Sequence, residues 1–539
     1  MKKYSKLISL RNALALLITG MAMGAISCTS NFDDINKDKD KVLSDDLNKD
    51  NMWAAYIQSM QLSVFAEDDN AYQRMDDLAG NTYSGYSGQS ADYGGRNPTN
   101  YFFAATIPWN DVGFQVAYGT SQKPKYPIPG IMNSWNIMRQ KVDSSSVVFA
   151  IGEVVKVTGM HRITDMYGPM PYTKYGNSLY TEYDSQETVY KSFFKELDHA
   201  IQIMTNYYNA NPSAKPIAEF DMIFGSDMQK WIRYANSLKL RLAMRIKYVE
   251  PALAKRYAEE AVSHPLGVII DNGGTAAIKN NSIYPFTNPI EMIWNGYANM
   301  RMGASMESYL KGYNDPRIET YFTRAIVDNQ YHGVRAGIAS NGSRYIPCST
   351  PNIGTRDALY WLHAAEVYFL RAEGAIEGWD MGGTAADLYN QGIQTSMDMN
   401  ELSGKADAYI NDNTSKPARF NDYYSSSYSI NAMTDITIKW NESDAKEKKL
   451  ERIITQKWLA MYPNGQEAWS EFRRTGYPKL FPVVQNNSNG KVDTNKQIRR
   501  IPLPFEEYTN NKDIVNRAVT NFLNGDDSPG QNLWWDAKP

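Results

Sequence analysis

Cysteine and histidine are scarce in this chain of 539 residues. Only two cysteines, Cys28 and Cys348, and five histidines are present. Two cysteines cannot build a disulfide framework, and their one available pairing would join the N-terminal segment to a distant region. The sequence therefore excludes a disulfide-stabilised scaffold and argues against redox chemistry.

An excess of positive charge is also lacking, since 56 Lys and Arg stand against 59 Asp and Glu and the formal net charge is −3. General nucleic-acid binding needs a basic surface, so we expect no nucleic-acid partner. Long apolar runs occur only at the extreme N-terminus, and we expect no membrane-spanning helix in the body. What is present is 42% hydrophobic residues, 37 tyrosines and 12 tryptophans. These residues can fill a large core and can also stack on a ligand.

The N-terminus has the pattern of a lipoprotein signal peptide. Its basic residues are Lys2, Lys3, Lys6 and Arg11. A mostly apolar segment follows and ends in Ala25-Ile26-Ser27-Cys28, which is similar to a bacterial lipobox. We interpret 1–27 as the signal peptide and predict acylation of Cys28, because two or more acyl chains hold a protein stably on a bilayer. The alternative is an ordinary signal peptide that happens to end at a cysteine.

Residues 28–45 are polar and alternate in charge, which is typical of a tether between lipid and fold. Asp34, Asn36 and Asp38 imitate the first ligands of an EF-hand loop. However, Lys39 stands where the turn needs glycine, and Asp45 replaces the bidentate glutamate. We therefore expect no cofactor, with calcium at this pattern as the alternative. The remainder, 46–539, is predicted to form a single domain.

Four amphipathic helices are predicted from apolar residues that recur at spacings of three and four. Their apolar stripes begin at Val189, Trp231, Leu362 and Ile453. Asp184, three residues before Glu187, resembles an N-terminal cap for the first of them. Small residues on the packed faces favour helix pairs of the tetratricopeptide type, although no clean 34-residue period is present. Long segments rich in Asn, Ser, Gly, Tyr and Pro separate the helices; they are 81–135, 271–300, 325–357 and 402–448. The predicted fold class is mainly α, with a helical scaffold, long irregular loops and small β decorations.

One segment makes the prediction more specific. Residues 163–172, ITDMYGPMPY, resemble the TD-x-(aromatic)-G-x-(aliphatic)-PY signature of the SusD/RagB family of outer-membrane nutrient-binding lipoproteins. Further similar segments follow in the family's order, at 183–187, 230–245, 314–317, 365–373, 455–458, 473–478 and 534–536. One departure is Gly225-Ser226-Asp227, where relatives often carry Gly-Gly-Asp. The resemblance covers nearly the whole mature chain and implies a SusD-like fold.

The charged residues of these segments are predicted to be structural. Arg241, Arg245, Arg473 and Arg474 carry fork-shaped donor groups that can tie helices together by binding buried carboxylates such as those of Glu366 or Glu373. Charged side chains are seldom fully buried unless they are paired. We therefore assign these arginines to the scaffold rather than to a ligand site.

The family resemblance implies a lipid-anchored receptor at the outer membrane, facing the cell exterior, that delivers oligosaccharides to a SusC-type TonB-dependent transporter. Sugar rings stack on Trp or Tyr, while Asn, Asp and Arg bind the hydroxyl groups. The residues expected to contact ligand are Tyr83, Tyr86, Asp92, Tyr93 and Arg96 in one loop, and Tyr284, Trp294, Asn295 and Tyr297 in another. The same aromatic residues can equally pack against their own scaffold or against the transporter.

Three alternatives remain for the function. The same architecture binds oligopeptides in the RagB branch of the family. A surface glycoside hydrolase would need two carboxylates that flank the scissile bond, and 59 acidic residues do not exclude such a pair. A transporter subunit without a ligand of its own is the third. Because no HExxH, GxSxG, P-loop or Rossmann glycine pattern is present, we expect a binding protein and not an enzyme.

Overall fold

Helices make up most of the regular structure in a computed structural model, which describes residues 49–66, 68–90, 98–101, 127–178, 180–281, 284–338 and 342–539. The α-helices are α1 (Lys49–Leu62), α2 (Asp69–Tyr72), α3 (Pro127–Lys141), α4 (Val147–Tyr167), α5 (Gln186–Ala210), α6 (Met228–Arg245), α7 (Pro251–Ser263), α8 (Pro289–Glu291), α9 (Ala304–Gly312), α10 (Ile318–Tyr321), α11 (Ala364–Ile376), α12 (Ala385–Met399), α13 (Ser403–Ile410), α14 (Lys446–Ala460), α15 (Gly465–Thr475), α16 (Phe505–Asn510) and α17 (Lys512–Phe522). Two π-helices span Gln73–Asn81 and Met292–Gly296, and short 3-10 turns span Pro98–Asn100, Asn272–Gly274, Gly342–Tyr345 and Ser426–Tyr428. The mainly α fold class is confirmed.

Four short strands form two separate antiparallel pairs. Strand β1 (Ser87–Gln89) pairs with β3 (Met300–Met302), in a register that places Gln89 opposite Met300. Strand β2 (Ala276–Ile278) pairs with β4 (Leu359–Leu362), with an irregularity between Ala276 and Ala277. These pairs are the small β decorations of the helical scaffold.

Neighbouring helices of the chain pack side by side. This holds for the consecutive helices α3 to α7, and again for α11 and α12, while α14 packs against α11 and α12. Such pairwise packing is the arrangement expected for a tetratricopeptide-type scaffold. Residues 53–539 form one compact unit. In the described part of the chain, no helix combines the length and the apolar character needed to cross a membrane.

The predicted apolar stripes are the buried faces of helices. In α5, Val189, Phe193 and Leu197 are fully buried. The helix starts one residue later than the Asp184 cap would place it, because the Ser185 hydroxyl accepts the hydrogen bond from the Thr188 amide. The Asp184 carboxylate instead binds the backbone and hydroxyl of Thr173.

Helix boundaries differ from the prediction in two further places. The third stripe was expected to begin at Leu362, but Leu362 ends strand β4 and the helix begins at Ala364. The segments expected to be irregular include the start of α3 at Pro127 and all of α13. A short apolar run such as the one that ends at Leu362 fits a strand as well as a helix. Pairing with β2 makes it a strand in this structure.

Helix α4 is buried over its whole length, including the threonine and aspartate of the family signature. It ends at Gly168, whose φ of +89° suits glycine better than other residues. Asp165 Oδ1 accepts hydrogen bonds from Tyr190 Oη at 2.6 Å and from Trp535 Nε1 at 2.8 Å. The signature thus joins α4 to α5 and to the C-terminal segment, which is a structural role.

A buried network of ion pairs joins the helices at the centre of the scaffold. Arg241 binds Glu366 through two nitrogens at 2.8 and 2.7 Å. Arg474 binds Glu373 through two bonds of 2.7 Å, and Arg245 binds Glu471 at 2.7 Å. These contacts confirm the scaffold role predicted for the three arginines.

Arg473 behaves differently from the other three predicted arginines. It donates to the backbone oxygens of Asp165 at 2.6 Å and Arg499 at 2.8 Å rather than to a carboxylate. Its guanidinium group lies 3.5 Å from the centre of the Trp469 ring, which is a cation–π contact. Arg473 therefore also belongs to the scaffold, but it is held by carbonyl groups and a ring.

Candidate ligand-binding surface

The β1–β3 pair joins two segments that are far apart in the chain. Strand β1 ends at Gln89, and β3 follows directly on the segment that carries Trp294 and Tyr297. The Ser90 amide donates to the Asn299 carbonyl oxygen at 3.0 Å, across 209 residues of chain. Asp92, Tyr93, Arg96 and the lipidation site Cys28 lie outside the described residues.

Trp294 lies in the π-helix Met292–Gly296 and is half-buried. Its indole Nε1 donates a hydrogen bond to the Ile353 carbonyl oxygen at 2.8 Å. Its own carbonyl oxygen accepts from Arg301 Nη1 at 3.1 Å. The bond to Ile353 orients the indole, and the bond from Arg301 holds the backbone of the same residue.

Tyr297 is fixed in a similar way, because its hydroxyl donates to Asp69 Oδ2 at 2.8 Å. Partial burial, together with the Asp69 carboxylate, raises the pKa of Tyr297 to about 12, so the phenol stays neutral. The neighbouring Asn295 is exposed and donates to Glu291 at 2.7 Å. The carboxylates of Asp69 and Glu291 therefore each accept a hydrogen bond from an uncharged side chain.

Tyr284 is half-buried, and its amide donates to Asn281 Oδ1 at 2.8 Å. Met292 adds an exposed apolar side chain, with 42% of its surface accessible. We call Met292, Trp294, Asn295 and Tyr297, which lie within or directly after the π-helix Met292–Gly296, together the Trp294 surface.

Tyr83 and Tyr86 lie in the core rather than on this surface. Tyr86 is fully buried, its hydroxyl donates to the Trp458 carbonyl oxygen, and its ring lies 5.3 Å from that of Trp458. Tyr83 packs at 5.3 Å from the Trp469 ring and lines a cavity of only about 30 Å³. That volume suits about one water molecule and not a ligand. These two tyrosines therefore pack against their own scaffold, which was the alternative to contact with a ligand.

Three residues that complete the surface were not found from the sequence. The backbone oxygen of Ile353 accepts the hydrogen bond from the Trp294 indole, and the Asp69 carboxylate accepts one from Tyr297, more than 200 residues away in the chain. Met292 contributes an exposed apolar side chain. None belongs to a motif, so no sequence signal was available. Among the residues that the structure describes, no group of three or more His, Cys, Asp or Glu side chains is placed to hold a metal ion.

Comparison with known proteins assigns the chain to a family. The family model described as "SusD-like: Susd and RagB outer membrane lipoprotein" matches residues 34–536. No protein among the curated sequences matches the chain.

Solved structures of similar proteins cover nearly the whole chain. A chitin-binding SusD homolog from Flavobacterium johnsoniae is 36% identical, with a TM-score of 0.82. The alignment covers 91% of this chain and 99% of the homolog. A SusD homolog from Bacteroides uniformis is 38% identical, with a TM-score of 0.80, and the alignment covers 90% of this chain and 99% of the homolog. A SusD-like protein from Bacteroides thetaiotaomicron is 33% identical, with a TM-score of 0.82, and the alignment covers 89% of this chain and 98% of that protein. Together with the match of the family model over 34–536, these similarities show that the chain belongs to the SusD-like family of outer-membrane lipoproteins.

Proposed function

We propose that this protein binds glycans through the Trp294 surface and is a binding protein rather than an enzyme. The observation that carries the proposal is the pair of half-buried rings, Trp294 and Tyr297, which are held in place by the Ile353 oxygen and the Asp69 carboxylate. The similarity to a chitin-binding homolog at 36% identity supports a glycan as the ligand class.

The fixed rings suit glycans for a physical reason. The faces of sugar rings carry C–H groups that pack against aromatic faces, and exposed amides such as that of Asn295 can bind the hydroxyl groups. Because hydrogen bonds inside the protein already orient Trp294 and Tyr297, little side-chain freedom is lost when a ligand binds. The surface is therefore preorganised for stacking.

The proposal includes location and partner. Acylation of Cys28 would anchor the protein in the outer membrane, with 28–45 as a tether, and the protein would face the cell exterior. From that position it would pass glycan to a SusC-type TonB-dependent transporter. The description of the family as outer membrane lipoproteins supports the location. Replacing Cys28 by Ala in cells should release the protein from the membrane fraction; retention there would contradict the anchor.

The test of ligand binding is a double variant, Trp294→Ala with Tyr297→Ala. Its affinity for glycans should fall by about 10- to 100-fold, as expected for the loss of two stacking rings. The measurement is a glycan and peptide array, followed by isothermal titration calorimetry on the strongest ligand. A matched control is Trp440→Ala with Tyr368→Ala, which removes two half-buried rings elsewhere on the scaffold. Unchanged affinity in a folded Trp294/Tyr297 variant contradicts the assignment of the surface.

The same array, together with chromatography of the glycan after incubation with the protein, separates the other functions. Binding of peptides without glycans on the array would reassign the ligand to the oligopeptide class. Release of shorter sugars from a bound glycan would show a glycoside hydrolase. Binding of neither class would favour a transporter subunit without a ligand of its own.

A further inference from the structure

A cleft of about 580 Å³ lies in the C-terminal part of the chain. The residues that line it come from the start of α14 and Met433 before it, from the end of α15 and the segment after it, and from 495–499 and 532–539. Pockets for small-molecule ligands usually measure about 300–1,000 Å³, so the cleft has the size of a ligand site. No residue of the Trp294 surface is among the described residues that line it, which makes the cleft a separate candidate site.

Positive charge predominates among the described side chains that line this cleft. Five are cationic and two are anionic; the cationic ones are Arg473, Lys479, Lys496, Arg499 and Lys538, and the anionic ones are Glu447 and Asp536. Pro539 also lines the cleft, and where the chain ends there, its carboxylate adds a third negative charge. Even with three negative charges against five positive ones, the described lining keeps an excess of two positive charges.

The two side-chain carboxylates of the cleft are already engaged by cations. Arg499 Nε donates to Asp536 Oδ2 at 2.7 Å, and the Lys538 ammonium group forms an ion pair with Glu447. Each of these carboxylates therefore compensates a cation beside it, and the excess of positive charge lies on the other lining residues.

Two exposed lysines carry part of this excess. Lys479 and Lys496 are both exposed, and neither ammonium group forms an ion pair within the part of the chain that the structure describes. Lys479 Nζ lies 4.4 Å from the centre of the Tyr477 ring, and Lys538 Nζ lies 4.8 Å from the same centre, so two ammonium groups lie beside one ring. Asp493 accepts a hydrogen bond from the backbone amide of Lys496 at 3.0 Å, but it is not among the residues that line the cleft.

The pKa values of two further cations agree with this excess of positive charge. Burial, together with the charges of Lys247 and Arg474, lowers the pKa of Lys538 even though Glu447 binds it. Burial also lowers the pKa of Arg473 to about 9, and the nearby carboxylates do not restore it. An anion in the cleft would compensate these charges, whereas a cation would be repelled.

The uncharged part of the lining narrows the class of ligand. Asn495 and Asn532 are exposed and Gln497 is half-buried, and their side-chain amides can donate to and accept from hydroxyl groups. Met433 adds an apolar side chain that is 45% exposed. The lining therefore favours a small ligand that carries a negative charge and hydroxyl groups together.

We propose that this cleft is a second binding site, for a small hydroxylated anion such as a sugar acid or a sugar phosphate, and that Lys479 and Lys496 bind its charged group. The amides of Asn495, Gln497 and Asn532 would bind its hydroxyl groups. The site goes beyond the function proposed for the Trp294 surface and does not depend on it.

The test measures binding to the whole mature protein by isothermal titration calorimetry. The charged probes are galacturonate and glucose 6-phosphate, their uncharged counterparts are galactose and glucose, and inorganic phosphate is the anion without a sugar ring. At least one charged probe should bind about tenfold or more tightly than its counterpart, and its affinity should fall as the salt concentration rises. The probe that binds identifies the charged group as a carboxylate or a phosphate.

The variant that tests the assigned residues is Lys479→Gln with Lys496→Gln. Its affinity for the preferred probe should be lower by about 10- to 100-fold, as expected for the loss of charge-assisted hydrogen bonds. Its melting temperature should not change, because both lysines are exposed. The matched control is Lys215→Gln, which removes an exposed lysine that does not line the cleft and should keep the affinity of the wild type.

Several results would refute the site. These are no binding of either charged probe, equal binding of a charged probe and its counterpart, unchanged affinity in the folded double variant, and an equal loss of affinity in Lys215→Gln. Inorganic phosphate that binds as tightly as the preferred probe would refute recognition of a sugar. The Trp294→Ala/Tyr297→Ala variant should bind the charged probe as the wild type does, so failure of this site and failure of the proposed glycan function are measured separately.

Discussion

Replacing Glu373 by Gln should test the buried ion network. Glu373 is fully buried, and its carboxylate binds Arg474 through two bonds of 2.7 Å and Lys247 at 2.7 Å. Burial by itself would raise the pKa of this carboxyl, but the charges of Arg474 and Lys247 outweigh burial and lower the pKa to about 2. Removing one partner of a buried pair costs about 3–5 kcal/mol in other proteins, because the remaining charge stays buried with fewer counter-charges.

The assay is urea-induced unfolding of the Glu373→Gln variant and the wild type, followed by tryptophan fluorescence. The free energy of unfolding should fall by about 3 kcal/mol at pH 7. Because the folded-state pKa lies below the unfolded one, this stabilisation is complete above pH 4.5 and is lost as the pH falls toward 2. The difference between wild type and variant should therefore be smaller at pH 3 than at pH 7.

The control for this prediction is Glu319→Gln. Its carboxylate is 60% exposed and lies 3.3 Å from Arg324, and exposed pairs contribute about 0–1 kcal/mol. A loss below about 1 kcal/mol for Glu373→Gln at pH 7 would refute the reasoning, since the buried pair would then stabilise no more than a surface pair. An unchanged difference at pH 3 would refute the assigned pKa.

Three further predictions concern single positions. Ser185→Ala removes the cap of α5 and should lower the free energy of unfolding by about 1 kcal/mol, measured by denaturation; no change would contradict the cap. A Cβ on Gly80 would lie 2.7 Å from the Gln466 backbone nitrogen, so Gly80→Ala should destabilise by about 1–3 kcal/mol, and an unchanged melting temperature would contradict this close approach. The pKa of His363 is about 3 in the folded state and 6.5 in the unfolded state, so only the unfolded state takes up a proton there below pH 6.5. The free energy of unfolding of the wild type should therefore fall by about 1.4 kcal/mol per pH unit below 6.5, relative to that of His363→Phe. Parallel stability curves of the two proteins from pH 7 to pH 4.5 would contradict a buried neutral imidazole.

Local sequence patterns predict the helices well because helix formation depends on residues three and four positions apart. The stripe that starts at Val189 is the buried face of α5, and the pattern at Trp231 is that of α6. The cap of α5 was placed one residue early, since Asp184 and Ser185 both carry acceptor oxygens. Asp184 is drawn instead to Thr173, a contact between segments that no local pattern reports.

The candidate site was only partly predictable. Trp294 and Tyr297 are half-buried as a binding surface requires, whereas Tyr83 and Tyr86 belong to the core. A tyrosine in a loop has the same local sequence signal in either setting. Its burial depends here on partners such as Trp458, which lies 372 residues after Tyr86 in the chain.

The sequence by itself determined the helical class of the scaffold, the arginines that stabilise it and, through ordered motifs, the family. Each of these follows from spacing or from residue identity. Only the tertiary structure decided which aromatic residues face outward and that Glu447 and Lys538, 91 positions apart in the chain, line one cleft. Burial and the net charge of a cleft are properties of contacts between distant segments, and such contacts exist only once the chain has folded.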